Sequence, residues 1–219
     1  ARWVVPVASP PLENGWVRIE RGRIAALGRR DRPRGGVEVD LGDAAILPGL
    51  VNAHTHLEFS DRATPLEASG GLPGWIGRVI DLRRARDVDT AGERARATAV
   101  RAGLTESAAR GVTLVGEIST GVPEGGYPCD GPRLRVFREA LGLAATTAAA
   151  SFRAATRDLE DLRCRGMSAG LSPHAPYSVD SGLGRRLVDA ARRGRLPLAM
   201  HLAESTAEEE LLRSGRGAF

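Results

Sequence analysis

The chain has 219 residues, 42% of them hydrophobic, which is enough apolar material for one large domain or two small ones with a genuine core. No apolar run approaches the ~20 residues that span a bilayer, and residues 1–11 lack the charged and apolar regions of a signal peptide, so a cytoplasmic protein without a membrane partner is expected. The formal charge of +4 and the pI near 9.9 come from arginines interleaved with acids, as over 93–101, which reads as a solvated surface and not as a nucleic-acid footprint.

Residues 3–39 alternate short β-rich runs with turn residues. Gly15-Trp16-Val17-Arg18-Ile19-Glu20, then Arg21-Gly22, then Arg23-Ile24-Ala25-Ala26-Leu27 predict a small antiparallel β unit. From residue 45 the pattern becomes an apolar run of strand length followed by a helix-compatible stretch, repeated. Strands are predicted over 45–53, 113–117, 134–139, 170–173 and 197–200, and helices over 73–110, 148–165, 181–193 and 206–214. The Gly- and Pro-rich stretch 121–132 reads as loop. Ser205 and Glu208 form a capping box for the last helix, and Gly194 and Gly215 sit where helices would end in the left-handed conformation. Apolar strands alternating with helices imply an α/β fold with a parallel sheet, either doubly wound or a (β/α)8 barrel.

Strand ends carry the chemistry. Each of the four histidines follows or ends a predicted strand: His54 and His56 the first, His174 the fourth, His201 the fifth. Barrel enzymes build their sites there, from several strands at once. In Asn52-Ala53-His54-Thr55-His56 the two imidazoles are two residues apart, so on an extended strand they share a face and can grip one cation. A lone His-x-His is usually just a polar pair; directly after the apolar run Ile46-Leu47-Pro48-Gly49-Leu50-Val51 it reads as a ligand pair. His201 offers a third imidazole, and these donors suit zinc, iron or nickel. Glu204, three residues on, is placed to move a proton in metal-assisted hydrolysis; taken alone it fits a helix-dipole partner equally well. His174 is framed by Pro173 and Pro176, which stiffen its loop for a substrate contact. Cys129 and Cys164 have no paired spacing and read as incidental thiols.

Pro48-Gly49-Leu50-Val51-Asn52-Ala53-His54-Thr55-His56-Leu57-Glu58-Phe59-Ser60, Gly111-Val112-Thr113, Ser172-Pro173-His174-Ala175-Pro176-Tyr177 and His201-Leu202-Ala203-Glu204 together resemble the amidohydrolase superfamily, in its branch of aminohydrolases and chlorohydrolases. The resemblance implies a metal-binding (β/α)8 barrel with a small β-sandwich built from both chain ends. In this chain that means part of the sandwich over 1–44, then a truncated barrel of about five β/α units over 45–219. It assigns His54, His56 and His201 to the metal, Glu204 to proton transfer and His174 to substrate contact. Binuclear members bridge two metals with a carboxylated lysine; this chain has no lysine, so one divalent metal is implied, zinc before iron.

His56-Leu57-Glu58-Phe59-Ser60, then Pro73-Gly74-Trp75-Ile76, Val79-Ile80 and Arg83-Arg84, look more narrowly like aminofutalosine deaminases, which adds Glu58 and Arg84 as substrate contacts. Adenosine-type deaminases of this branch carry an acidic ribose contact near Arg84, so the arginine argues against ordinary adenosine. The expected activity is hydrolytic deamination of an aminopurine nucleoside-like or related N-heterocycle, a small-molecule substrate, with room for a homo-oligomer. The alternatives are a chlorohydrolase or amide hydrolase of the same branch, or a non-catalytic assembly barrel. The family pattern continues with a histidine after the sixth strand and an aspartate after the eighth. The chain is therefore expected to be an N-terminal fragment, inactive alone and with an open sheet edge.

Overall fold

Residues 1–31, 34–86 and 90–219 are described by the structure, a computed structural model, and they divide into two compact units, Ala1–Leu50 and Val51–Phe219. In the first unit, β1 (Trp3–Val4) pairs antiparallel with β2 (Leu12–Glu13), and β3 (Gly15–Glu20) forms a hairpin with β4 (Arg23–Arg29). The hairpin turns on Arg21 and Gly22, both at positive φ (51° and 73°), the backbone sign pattern of a type I′ turn, whose twist matches that of the flanking strands. The antiparallel unit expected over 3–39 is thus present, with residues 34–39 carrying no strand.

The strand predicted over 45–53 is two strands. β5 (Ala45–Ile46) pairs parallel with β1, while β6 (Leu50–Thr55) joins a different, four-stranded sheet. Pro48 and Gly49 lie at the break, where proline has no N–H to give a ladder. The helix predicted over 73–110 is also two, α1 (Gly71–Arg86) and α2 (Thr90–Ala109); its stretch 87–89 lies outside the described residues. Near the start of α2, Gly92 faces the Arg86 carbonyl, and a Cβ there would collide with it.

Beyond them follow β7 (Val112–Ser119), β8 (Arg133–Ala140), α3 (Ala145–Cys164), β9 (Ser168–Pro173), α4 (Ser181–Gly194) and α5 (Thr206–Ser214). The sheet order is β6-β7-β8-β9, with β7–β8 and β8–β9 parallel. The predicted strand 197–200 makes only a parallel bridge to β9 through Leu198. Leu171 donates its N–H to the Pro197 carbonyl at 3.1 Å, and Ala199 donates to the Leu171 carbonyl at 3.1 Å. Pro197 has no N–H of its own to extend the ladder. The fold is α/β, and the described strands do not close into a barrel.

Val115, Val136 and Leu171 of the sheet, all 0% exposed, share one core with Leu104 of α2, Leu159 and Leu162 of α3, and Leu183 and Leu187 of α4. Burying each such side chain is worth about 1.5–3 kcal/mol, so this seam holds β7, β8 and β9 firmly. β6 differs: it is the edge strand at the end away from the Leu198 bridge, and Val51 is 60% exposed. Its backbone presses against β7, where a Cβ on Gly116 would collide with the Ala53 carbonyl.

Helix ends follow their sequence signals with one exception. Asp180 caps α4 through the amides of Gly182 and Leu183 (2.7 and 3.1 Å). Ser205 accepts from the Glu208 amide, and the Glu208 carboxylate reaches back to the Glu204 amide, so the box closes one residue earlier than its usual form. Gly215 ends α5 in the left-handed region, as expected, but in α4 the left-handed residue is Arg195 (φ 50°) and Gly194 remains helical. Among the described residues, no helix is long and apolar enough to cross a membrane.

Candidate metal centre

The parallel strands deliver the histidines to one end of the sheet. His54 is the penultimate residue of β6 and His56 follows its end; His174 follows β9; His201 follows the bridging segment. Backbone bonds lock the last two together, with His174 donating to the Ala140 carbonyl at 3.0 Å and His201 to the His174 carbonyl at 2.8 Å. Past His56 the chain is pinned by the Leu57 amide, which donates to the buried Glu117 carboxylate at 2.9 Å, and by the Leu57 side chain, only 2% exposed.

His54, His56 and His201 bring one ligand atom each within 4.8 Å of one another. Two imidazole nitrogens bound to one tetrahedral zinc lie about 3.4 Å apart, given Zn–N bonds of about 2.0–2.1 Å. His56 Nε2 and His201 Nε2 are 3.3 Å apart. The ring of His201 is oriented for this: its Nδ1 faces the His174 carbonyl at 3.1 Å, and a carbonyl only accepts, so the proton belongs on Nδ1 and the Nε2 lone pair points into the cluster. The donor set therefore fits a divalent metal of the zinc type.

Electrostatics agree. Burial, aided by Arg83 and the neighbouring imidazoles, pushes His56 down to about 3. Burial, then His201 and Arg83, pushes His174 to about 4, and His54 is lowered by burial and by His201 against an opposing pull from Glu204. These rings are neutral near pH 7, the state in which imidazole binds metal. His174 holds Ser178 Oγ at 2.6 Å through Nδ1, so the ring is fixed.

Glu204 is exposed at the rim, and its charge acts on His54 and on Tyr177, whose hydroxyl is pushed upward first by burial and then by that carboxylate. Glu58 is buried and receives Nε and a terminal nitrogen of Arg83 at 3.0 and 2.6 Å. Arg84 lies at the surface, 3.9 Å from Asp81, so the inward-facing guanidinium of the pair belongs to Arg83. The structure thus gathers the four histidines with Glu204 at their edge, and leaves Arg84 outside.

Sequence reading missed two carboxylates. Glu117 and Glu139 are 1% and 2% exposed, and burial raises both carboxyls, Glu117 well above the usual carboxylate range. Glu139 also joins His174 and His201 in a second set of ligand atoms within 4.8 Å. The signal was weak: Glu117 sits among apolar residues in Val115-Gly116-Glu117-Ile118, whereas Glu139 stands beside Arg138 in a strand that also carries Arg133 and Arg135.

Residues 45–218 match the amidohydrolase family. The chain belongs to that family. It is 30% identical over 179 residues to an adenosine deaminase of Helicobacter pylori, covering 81% of this chain and 42% of that protein. It is 32% identical over 192 residues to an aminodeoxyfutalosine deaminase of Nitratiruptor, covering 85% and 45%. Among solved structures, Helicobacter pylori aminofutalosine deaminase in complex with methylthio-coformycin superposes with a TM-score of 0.78 at 27% identity, over 99% of this chain and 53% of that one. This amidohydrolase chain spans about half the length of the relatives it matches.

Proposed function

We propose that the protein is a metal-dependent hydrolytic deaminase of an aminopurine nucleoside-like substrate, with zinc held by His54, His56 and His201. The observation that carries this is the 3.3 Å approach of His56 Nε2 to His201 Nε2 inside the three-imidazole set. The relatives named as deaminases of adenosine and aminodeoxyfutalosine support the reaction class. In this reading, residues 45–219 supply about five β/α units of a (β/α)8 barrel and residues 1–44 part of a β-sandwich.

His54, His56 and His201 would hold a divalent ion, which when bound would lower the pKa of a water for attack on the amino-bearing carbon. The Glu204 carboxylate would accept the proton of the attacking water and pass it to the departing amino nitrogen, which would leave as ammonia. His174, neutral and fixed by Ser178, offers Nε2 to the heterocycle.

The test is ammonia release by the full-length, metal-loaded protein from aminopurine nucleosides, aminofutalosine and aminotriazines. Glu204→Gln should lower kcat by about 10²- to 10⁴-fold. Undiminished activity in that variant removes Glu204 from the reaction, and no ammonia from any of these substrates sinks the deaminase reading.

A further inference from the structure

Glu139 has no part in the chemistry assigned above, yet it is a buried acid whose carboxylate falls in one set of ligand atoms with His174 and His201. Its side chain is 0% exposed, and among the described residues neither carboxylate oxygen has a hydrogen-bond partner. An unsatisfied buried carboxylate is costly, so its retention at this spot calls for a compensating interaction. The two oxygens face different neighbours. Oε2 lies 3.8 Å from the Arg83 guanidinium, whose closer bond, at 2.6 Å, is to Glu58. Oε1 lies 3.7 Å from His201 Nδ1, the nitrogen that already faces the His174 carbonyl at 3.1 Å.

We propose that Glu139 is a positioning residue for the metal ligand His201: the His174 carbonyl accepts the Nδ1 proton and aims the ring, and the Glu139 carboxylate, 3.7 Å from Nδ1, makes Nε2 a stronger donor through its charge. This rests on the metal site argued above. The strand register makes the arrangement rigid: Glu139 stands opposite Ser172 in the β8–β9 ladder, and the His174 amide is bonded to the Ala140 carbonyl, so the acid and the ring cannot drift apart. Arg83, anchored by Glu58, takes up part of the buried negative charge without occupying Oε1. Removing such an outer partner typically weakens metal binding by about 10- to 100-fold.

The experiment is zinc affinity by chelator competition on the full-length apoprotein, for the wild type, Glu139→Gln, Glu139→Asp and His201→Ala. It is paired with nitrogen NMR of the His201 tautomer in the metal-free wild type. Glu139→Gln should bind zinc about 10- to 100-fold more weakly, with Glu139→Asp in between, and the wild type should hold its proton on Nδ1. Unchanged zinc affinity in Glu139→Gln while His201→Ala loses the metal overturns this inference and leaves the metal site standing. A raised KM with unchanged zinc affinity overturns it too, since Glu139 would then contact substrate. A wild-type proton on Nε2 overturns it even if the glutamine variant fails to fold. No zinc binding by the wild type overturns both readings together.

Discussion

The histidine cluster has two arms of different construction. One is β6, an edge strand whose Val51 is 60% exposed, and it carries the exposed His54. The other is the β8–β9 pair with the segment after it, which carries Glu139, His174 and His201 over a core containing Val136 and Leu171 at 0% exposure. The buried arm aims its rings through the backbone and through Ser178, whereas His54 is aimed chiefly by its place in the strand. Preorganisation in this site is unequal, and the ligands should be unequal in consequence.

The sharpest way to break that contrast is to delete one ligand from each arm. His201→Ala should abolish stoichiometric metal binding, since this ring belongs to both sets of ligand atoms, while His54→Ala should weaken binding and leave a measurable affinity. Equal losses in metal analysis would erase the distinction between the arms. Packing tests it next. Leu171→Ala should cost about 2–5 kcal/mol in denaturant unfolding, whereas Val51→Ala on the edge strand should stay within about 0.5 kcal/mol.

Acid gives a third, smaller separation. The folded-state values of His56 and His174, about 3 and about 4, lie below the unfolded value of 6.5. The unfolded chain therefore binds more protons as pH falls, and metal-free stability contributed by these neutral rings is present above pH 6.5 and lost on acidification toward pH 4. His174→Gln should flatten that decline in thermal melts; an unchanged slope would remove His174 as a contributor. The smallest effect is expected at Arg195, a non-glycine residue at φ 50° after α4. Arg195→Gly should raise stability by about 1 kcal/mol by relieving the left-handed strain, with no change in metal affinity.

Much of the site was legible because packing alone seldom places two imidazoles, two residues apart, at the end of a strand. The convergence of His54-x-His56 and His201 could be expected from their spacing and the apolar runs before them, whereas Glu204 read equally well as a helix-dipole partner. Glu139 and Glu117 were not legible, because a lone acid in a strand says nothing about what it will face until β7, β8 and β9 are aligned. Arg83 and Arg84 show the same limit at single-residue scale: the sequence presents two equal arginines, and only the helix phase of α1 turns Arg83 toward Glu58 and Arg84 to the surface. In the fold, the alternation of strand and helix was readable, while the break at Pro48-Gly49 depended on which sheet each half would join.

Gly116 has no side chain, and the Ala53 carbonyl occupies the space where its Cβ would stand. It acts as a spacer of fixed thickness between β6 and β7, one residue before His54 on the facing strand. A single methyl group there would widen the gap and carry His54 outward with the strand. The reach of the cluster is thus calibrated by an atom the protein leaves out, at a position that a survey of chemically active side chains would pass over.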